Sequence, residues 1–208
     1  MEQRSEEWYD IRKTKFTSSG VYRLMGKQSI GKTGETYILE KVAENYGARF
    51  EIDTYAMQRG TMLEPYAREH YQAYFVKEIV EEGFKIASWC EEAGVSPDGI
   101  IKGQRKGVEF KCPDNAVNHI RYHMMSNNED LKRYKPEYYW QIQMQMAVYE
   151  YDVWDYVSYH PDFSEDMRIF ALEIVADEKD IKLLKSRVLE AVLIKNRFIK
   201  EIENNRNG

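Results

Sequence analysis

The sequence is poor in the features that mark specialised protein classes. Only two of its 208 residues are cysteines, Cys90 and Cys112. They allow at most one bridge, and the polar start Met1-Glu2-Gln3-Arg4-Ser5-Glu6-Glu7 is no signal sequence, so free thiols in a reducing, cytoplasmic setting are expected. No run approaches the roughly 18 uninterrupted apolar residues of a membrane span, and no membrane partner is expected. The five prolines are scattered singly, and neither a low-complexity segment nor a repeat marks a linker or a solenoid. Excess positive charge is also missing: 30 basic against 35 acidic side chains give a net charge of −5. No global field therefore draws the chain to nucleic acid, and any polyanion has to be met by a local patch.

What is present is the material of a folded enzyme-sized domain. Hydrophobic residues make up 43% and charged residues 31%, too much apolar surface for a disordered chain. A chain of this length buries roughly 70% of its unfolded surface, so it folds without disulfide or metal staples. With no internal boundary, residues 1–208 read as a single domain.

Helical pieces dominate the first 75 residues: Ser5 to Arg12, a Thr17-Ser18-Ser19 cap leading into Val21 to Met25, and Glu35 to Tyr46 after a glycine-punctuated loop from Lys27 to Gly34. Thr61-Met62-Leu63-Glu64 has the form of a capping box, with Pro65 in the first turn of a helix to Phe75. Short β-rich segments follow at Val76–Val80, Phe84–Cys90, Val95–Ile101 and Gly107–Lys111. Helices are predicted over Asn115–Met125 and Glu137–Tyr149, strands over Val153–Tyr159 and Arg168–Val175, and a last amphipathic helix on Ile181, Leu184, Val188, Val192 and Ile199. The pattern predicts an α/β (α+β) fold with a central mixed β-sheet flanked by helices.

The stretch from Ser96 to Lys111 carries the most chemistry. Glu109 and Lys111 are two apart on a strand and share one face, while Val108 and Phe110 take the other. A hairpin centred near Gly103 and Gln104 sets Asp98 opposite Glu109. Two close carboxylates repel by roughly 4 kcal/mol at 4 Å and an effective dielectric of about 20, so a cation is needed beside them. Mg²⁺ takes one or two protein carboxylates and fills its shell with water or phosphate oxygens. The lysine could orient or deprotonate water or stabilise charge on a phosphate. By itself the Glu-x-Lys pair is equally the surface ion pair of an ordinary hairpin.

Asp98, followed eleven positions later by Glu109-Phe110-Lys111, resembles the PD-(D/E)XK nuclease signature. The wider chain resembles the YqaJ-type viral recombinase and lambda exonuclease family of that superfamily. The matching blocks are Trp8-Tyr9-Asp10-Ile11-Arg12 with Thr17-Ser18-Ser19, Arg59-Gly60-Thr61-Met62-Leu63-Glu64-Pro65, Ser96-Pro97-Asp98-Gly99, Glu109-Phe110-Lys111-Cys112-Pro113, and Gln141-Ile142-Gln143. They fall in family order from residue 8 to about residue 150.

The resemblance implies a PD-(D/E)XK nuclease core and a Mg²⁺-dependent 5'→3' exonuclease, with Mn²⁺ as a possible substitute, acting on linear double-stranded DNA to leave mononucleotides and a 3' single strand. Asp98 and Glu109 match the metal-binding carboxylates, with the backbone carbonyl of Phe110 and the side chain of Glu64 as further metal-site groups. Lys111 matches the catalytic lysine and Gln141 a glutamine beside the site, whereas Gln143 and Gln145 read as helix surface. Arg12, Ser19 and Ser96 match positions that grip a 5'-terminal phosphate. The resemblance also implies a homotrimer ring, a single-strand annealing protein as partner and a phage or prophage origin in a bacterial host. Glu64 as a capping-box member and Ser19 as an N-cap remain open beside these roles. The rival functions are a PD-(D/E)XK endonuclease and a non-catalytic DNA-binding or scaffold protein with a vestigial site.

Other patterns carry less. His119 and His123 form an i, i+4 pair without a zinc-site partner and read, with His70 and His160, as surface or phosphate-side groups. Gly26-x-x-x-x-Gly31-Lys32-Thr33 has the form of a phosphate-binding loop but follows no strand. Cys112 reads as packing. The clusters Lys102, Arg105, Lys106 and Arg121, Lys132, Arg133, Lys135 are either DNA backbone rails or ordinary solvated charge.

Overall fold

The computed structural model describes residues 3–50 and 54–207. The first helix, α1 (Glu6–Arg12), is capped by Ser5, which accepts from the Trp8 amide at 3.2 Å; acidic residues occupy its first turn and Arg12 its last, as the helix dipole favours. After β1 (Phe16–Thr17) comes a 3-10 turn over Val21–Leu24 and then α2 (Gly31–Asn45). Next are α3 (Tyr55–Phe75), β2 (Ile79–Val80), β3 (Lys85–Ala87), β4 (Cys90–Val95), β5 (Gly99–Ile101) and β6 (Lys106–Lys111). The chain ends with α4 (Ala116–His123), α5 (Asn128–Tyr134), α6 (Pro136–Tyr149), β7 (Val153–Tyr159), β8 (Ile169–Val175) and α7 (Glu178–Asn207). Among the described residues no helix is long and apolar enough to cross a membrane.

The strands form a five-stranded sheet in the order β2-β5-β6-β7-β8 and a three-stranded one in the order β1-β4-β3, where a single sheet was expected. Both are mixed, since β6 and β7 run parallel, as do β1 and β4, and the remaining pairs are antiparallel. A parallel pair requires a crossover, here supplied by α4, α5 and α6 between β6 and β7. Alternation along β6 then separates two environments. Val108 and Phe110 join Tyr71 and Ala67 of α3 in a small core with Ile101, Val157, Tyr159 and Ile169. Tyr156 of β7, Ile142 and Met146 of α6 and Leu184 and Val188 of α7 belong to the larger core. The β5–β6 strands thus have a helix-packed apolar face toward α3, while Glu109 faces α6.

Several local expectations are corrected. α3 begins at Tyr55, where Thr54 accepts from the Met57 amide, so Thr61 to Glu64 is no capping box and Pro65 lies inside the helix. The helix tolerates a proline that cannot donate to the ladder because Ala67 and Tyr71 are fully buried on its far side. Ser19 caps nothing: the 3-10 turn is preceded by Gly20, with no side-chain cap. The Lys27–Gly34 loop is shorter than expected, because α2 starts at Gly31 between two helical pieces, which leaves the phosphate-loop pattern without its strand. α5 escaped the periodicity reading; its signal was Asn127 as a cap, accepting from the Asp130 amide, with Glu129 and Asp130 in the first turn and Lys132 and Arg133 in the last.

Candidate active site

The β5–β6 hairpin turns at Gly103, whose φ of +74° is the left-handed conformation that glycine adopts without strain. Gly99 pairs with Val108 and Ile100 with Gly107, so the next step along the hairpin sets Asp98 opposite Glu109. The Phe110 amide donates to Asp98 Oδ2 at 2.7 Å. On the same strand Lys111 Nζ donates to Glu109 Oε1 at 2.6 Å. Lys111 also reaches Gln141 Oε1 at 3.3 Å and lies 4.8 Å from the centre of the Tyr138 ring.

Glu109 is only 2% exposed, and donors surround its carboxylate. Gln141 Nε2 donates to Oε1 at 2.5 Å and Gln145 Nε2 to Oε2 at 2.6 Å. Gln145 was read as surface in the sequence and is instead fully buried; its i, i+4 spacing from Gln141 puts both amides on the α6 face that meets β6. Gln143 is buried too, but it faces elsewhere, joining the Val175 carbonyl and the Asp177 amide.

Glu64 lines the same cleft, of about 900 Å³, as Asp98, Glu109, Phe110, Lys111 and Arg12. Its carboxylate takes Arg4 at 2.6 Å and Arg68 at 3.1 Å, and Arg68 also donates to the Asp98 carbonyl. Arg59, from the Arg-Gly block, donates to the Cys112 and Pro113 carbonyls and ties α3 to the end of β6. Burial, then Glu109 and Glu64, push the Asp98 acid well above its ordinary value. Burial works against the Lys111 ammonium, but Glu109 and Asp98 outweigh it and hold the lysine protonated. Burial followed by Asp98 and Glu64 pushes the Cys112 thiol up to about 12, so this cysteine is a packed thiol rather than a nucleophile.

Arg12 ends α1 with its guanidinium 3.9 Å from the Trp8 ring centre and 5.6 Å from that of Phe84. Phe84 can lie there because Gly94 has no side chain; a Cβ on Gly94 would come 2.3 Å from the ring. Ser96 Oγ accepts from Trp8 Nε1 at 2.8 Å and from Arg12 Nη1 at 3.3 Å. Both lone pairs of that hydroxyl are then used, which leaves its proton for another acceptor. Arg12 has no ion pair among the described residues, and burial lowers its pKa to about 10. Ser19 is exposed and bonds to Thr17 at 3.3 Å; no hydrogen bond joins it to Arg12 or Ser96 among the described residues.

The basic clusters do not form free rails. Lys102 pairs with Glu78, Lys106 is buried between Asp155 and Glu173, and Arg105 donates to the Glu150 carbonyl. Lys132 pairs with Asp180, Arg133 with Asp130 and Lys135 with Glu137, while Arg121 is exposed. Two of the histidines are not surface groups: His119 and His160 are buried, and His119 bonds to Ser158 and to the Met167 carbonyl, whereas His70 and His123 are half-buried.

The model of the YqaJ-like viral recombinase domain matches residues 7–152. The chain belongs to this family. Among solved structures, this YqaJ-like chain is similar to an alkaline exonuclease, LHK-Exo, from Laribacter hongkongensis, with 31% identity, a TM-score of 0.84 and 98% of each chain covered. The same figures hold for LHK-Exo in complex with dAMP. A phage-related exonuclease from Haemophilus somnus 129PT shares the fold at 16% identity and a TM-score of 0.77, over 90% of this chain and 96% of that one. No curated protein sequence matches the chain. The expected family and the mixed α/β nuclease fold therefore both hold for this YqaJ-like protein.

Proposed function

We propose that this chain, as one nuclease domain over residues 1–208, is a Mg²⁺-dependent 5'→3' exonuclease. It hydrolyses linear double-stranded DNA to mononucleotides and leaves a 3' single strand. The observation that carries this reading is the presence of two chemistries in one cleft: Asp98, Glu109 and Lys111 at one part, and Arg12, a half-buried cation with no ion pair among the described residues, at another. The relatives support it, since LHK-Exo is an exonuclease seen with dAMP, a mononucleotide.

The residues fit a divalent metal. Burial first, then Glu109 and Glu64, raise the Asp98 acid well above its ordinary value, and its carboxylate accepts from the Phe110 amide. Among the described residues no three His, Cys, Asp or Glu side chains converge as a ligand set. Two carboxylates with the Phe110 carbonyl, and Glu64 nearby, suit Mg²⁺, which keeps water and substrate oxygens in its shell; Mn²⁺ could substitute. The metal, when bound, supplies Lewis acidity to the scissile phosphate and its attacking water. Lys111, whose ammonium Glu109 and Asp98 favour, lines the cleft where it can donate to a phosphate oxygen or orient the attacking water. Gln141 orients Lys111 and Glu109. Arg12 and the free proton of Ser96 bind the terminal 5'-phosphate, an acceptor-only dianion. Ser19, hydrogen-bonded to Thr17 on the cleft wall, is the third contact proposed for that phosphate.

In the cell the enzyme would act in the cytoplasm of a bacterial host as a phage or prophage product, with an annealing protein taking up the 3' strand. The deciding experiment compares one plasmid in linear and closed circular form with Mg²⁺. Release of acid-soluble nucleotides from the linear form alone is expected. Cutting of closed circles would replace this reading with the endonuclease, and no metal-dependent release from either would leave a DNA-binding protein.

A further inference from the structure

Gln145 does not line the cleft and, among the described residues, its side chain has a single hydrogen bond. It is fully buried, its Nε2 donates to Glu109 Oε2, and its Oε1 has no hydrogen-bond partner among the described residues. A buried amide that leaves its carbonyl unpaired is a costly occupant of a core position, where an apolar side chain of similar volume would carry no such penalty. Its neighbours on α6, Met144 and Met146, are fully or almost fully buried and apolar.

The two oxygens of Glu109 are served differently. Oε1 receives Lys111 and Gln141, and Lys111 lines the cleft. Oε2 receives Gln145 from the interior, where no solvent reaches. We infer that Gln145 is a positioning residue: it pins Glu109 by Oε2 from the buried side, fixing the carboxylate plane and committing Oε1 to the cleft. The inference rests on the proposed function, because Glu109 is there the carboxylate that holds the metal. Groups that orient a metal-holding side chain typically change metal affinity by 10–100-fold when they are removed.

The test substitutes Gln145→Met, which keeps the volume and removes the donor, in the full chain. Calorimetric titration with Mn²⁺, without DNA, is expected to show affinity weakened by roughly 10–100-fold. The Mn²⁺ concentration for half-maximal nucleotide release from linear DNA should rise by the same factor. The melting temperature in EDTA should change little, because removal of the unpaired carbonyl offsets the loss of a donor to the buried Glu109 Oε2. A purely structural role would lower the melting temperature and the active fraction without moving the Mn²⁺ midpoint. Equal Mn²⁺ affinity in wild type and Gln145→Met overturns this inference and leaves the proposed function standing, whereas a wild type that takes up no Mn²⁺ overturns both. If the Met variant fails to fold, Gln145→Asn, which withdraws the amide by one methylene, is read in the same way: wild-type affinity there also overturns the inference.

Discussion

Asp98 and Glu109 face each other across the β5–β6 hairpin, and the Phe110 amide, next to Glu109, donates to the Asp98 carboxylate. The folded chain therefore holds Asp98 where burial, Glu109 and Glu64 all favour its protonated form. Its proton affinity exceeds that in the unfolded chain, so above the ordinary value of 3.8 this residue costs stability as pH rises toward its raised folded value. Asp98→Asn should accordingly raise the melting temperature in EDTA at neutral pH relative to wild type. It should also lessen the loss of stability on going up from pH 4, while abolishing Mn²⁺ binding and cleavage. Thermal melts across pH and an acid-soluble release assay check both; wild-type cleavage by Asp98→Asn would remove it from the site.

Arg12 stacks on Trp8 and shares Ser96 with it, and has no ion pair among the described residues. A duplex with a 5'-phosphate should be degraded faster than one ending in 5'-hydroxyl. A charge-assisted hydrogen bond contributes about 1.5–3 kcal/mol, which corresponds to roughly a ten- to hundredfold difference in the first cuts. Arg12→Ala should erase most of that preference and leave Mn²⁺ binding in place. Equal initial rates of wild type on the two ends would contradict the assignment.

The hairpin was legible because its turn residues and the Asp-to-Glu interval fix the register without reference to the rest of the chain. β7 and α6 were legible for a similar local reason: Val153–Tyr159 is β-rich throughout, and Pro136 and the αL position of Glu150 bound the helix. Gln145 was not, because an amide amid a mixed run of Met and Gln reads as surface until the crossover from β6 to β7 lays α6 over Glu109. The start of α3 was missed for the opposite reason. Thr61-Met-Leu-Glu64 has every local mark of a cap, and the turns before Pro65 are held by groups remote in sequence, Leu63 on the small core and Arg59 on the Cys112 and Pro113 carbonyls. Charge was the least legible property. Lys106 looks like a DNA contact in a run without acids, but its partners Asp155 and Glu173 lie on strands remote in sequence.

The net charge of −5 and the paired state of most of the basic clusters leave little to hold the protein on DNA between cuts. A ring that encloses the duplex replaces electrostatic retention with topology. The homotrimer that the family resemblance implies would be such a ring, and its expected light-scattering mass is about three times the 24.7 kDa of one chain. A monomer mass at concentrations where degradation is processive would exclude the ring.

His119, buried against Ser158 and the Met167 carbonyl, resists protonation chiefly through burial, with His123 and His160 adding repulsion. The unfolded chain takes up that proton near the ordinary 6.5, so this contribution to stability is complete above that pH and is lost as pH falls toward the lowered folded value. His119→Gln should cost about 1–3 kcal/mol at pH 8, where Ser158 loses its buried partner, yet show a shallower loss between pH 6.5 and 5. Urea midpoints over that range measure it, and parallel wild-type and variant curves would exclude His119 as a source of the acid sensitivity.

Val76 ends α3 in the left-handed conformation, φ 51° and ψ 53°, with its amide donating to the Gln72 carbonyl. A β-branched residue fits that region badly, and helices commonly use glycine or asparagine there. The side chain is 90% exposed, so replacing it forfeits almost no buried apolar area. Relief of left-handed strain is worth about 1–2 kcal/mol, offset in part by the greater freedom of glycine in the unfolded chain. Val76→Gly should therefore stabilise by about 1 kcal/mol and raise the melting temperature by roughly 2–4 °C. Val76→Asn tests the same strain with less unfolded-state entropy and should also rise. The position lines neither the cleft nor the Arg12 pocket, so nucleotide release at 25 °C should be unaltered. A lower melting temperature for both variants would mean that packing beyond the local backbone sets this helix end, and that α3 is not held back by its own terminus.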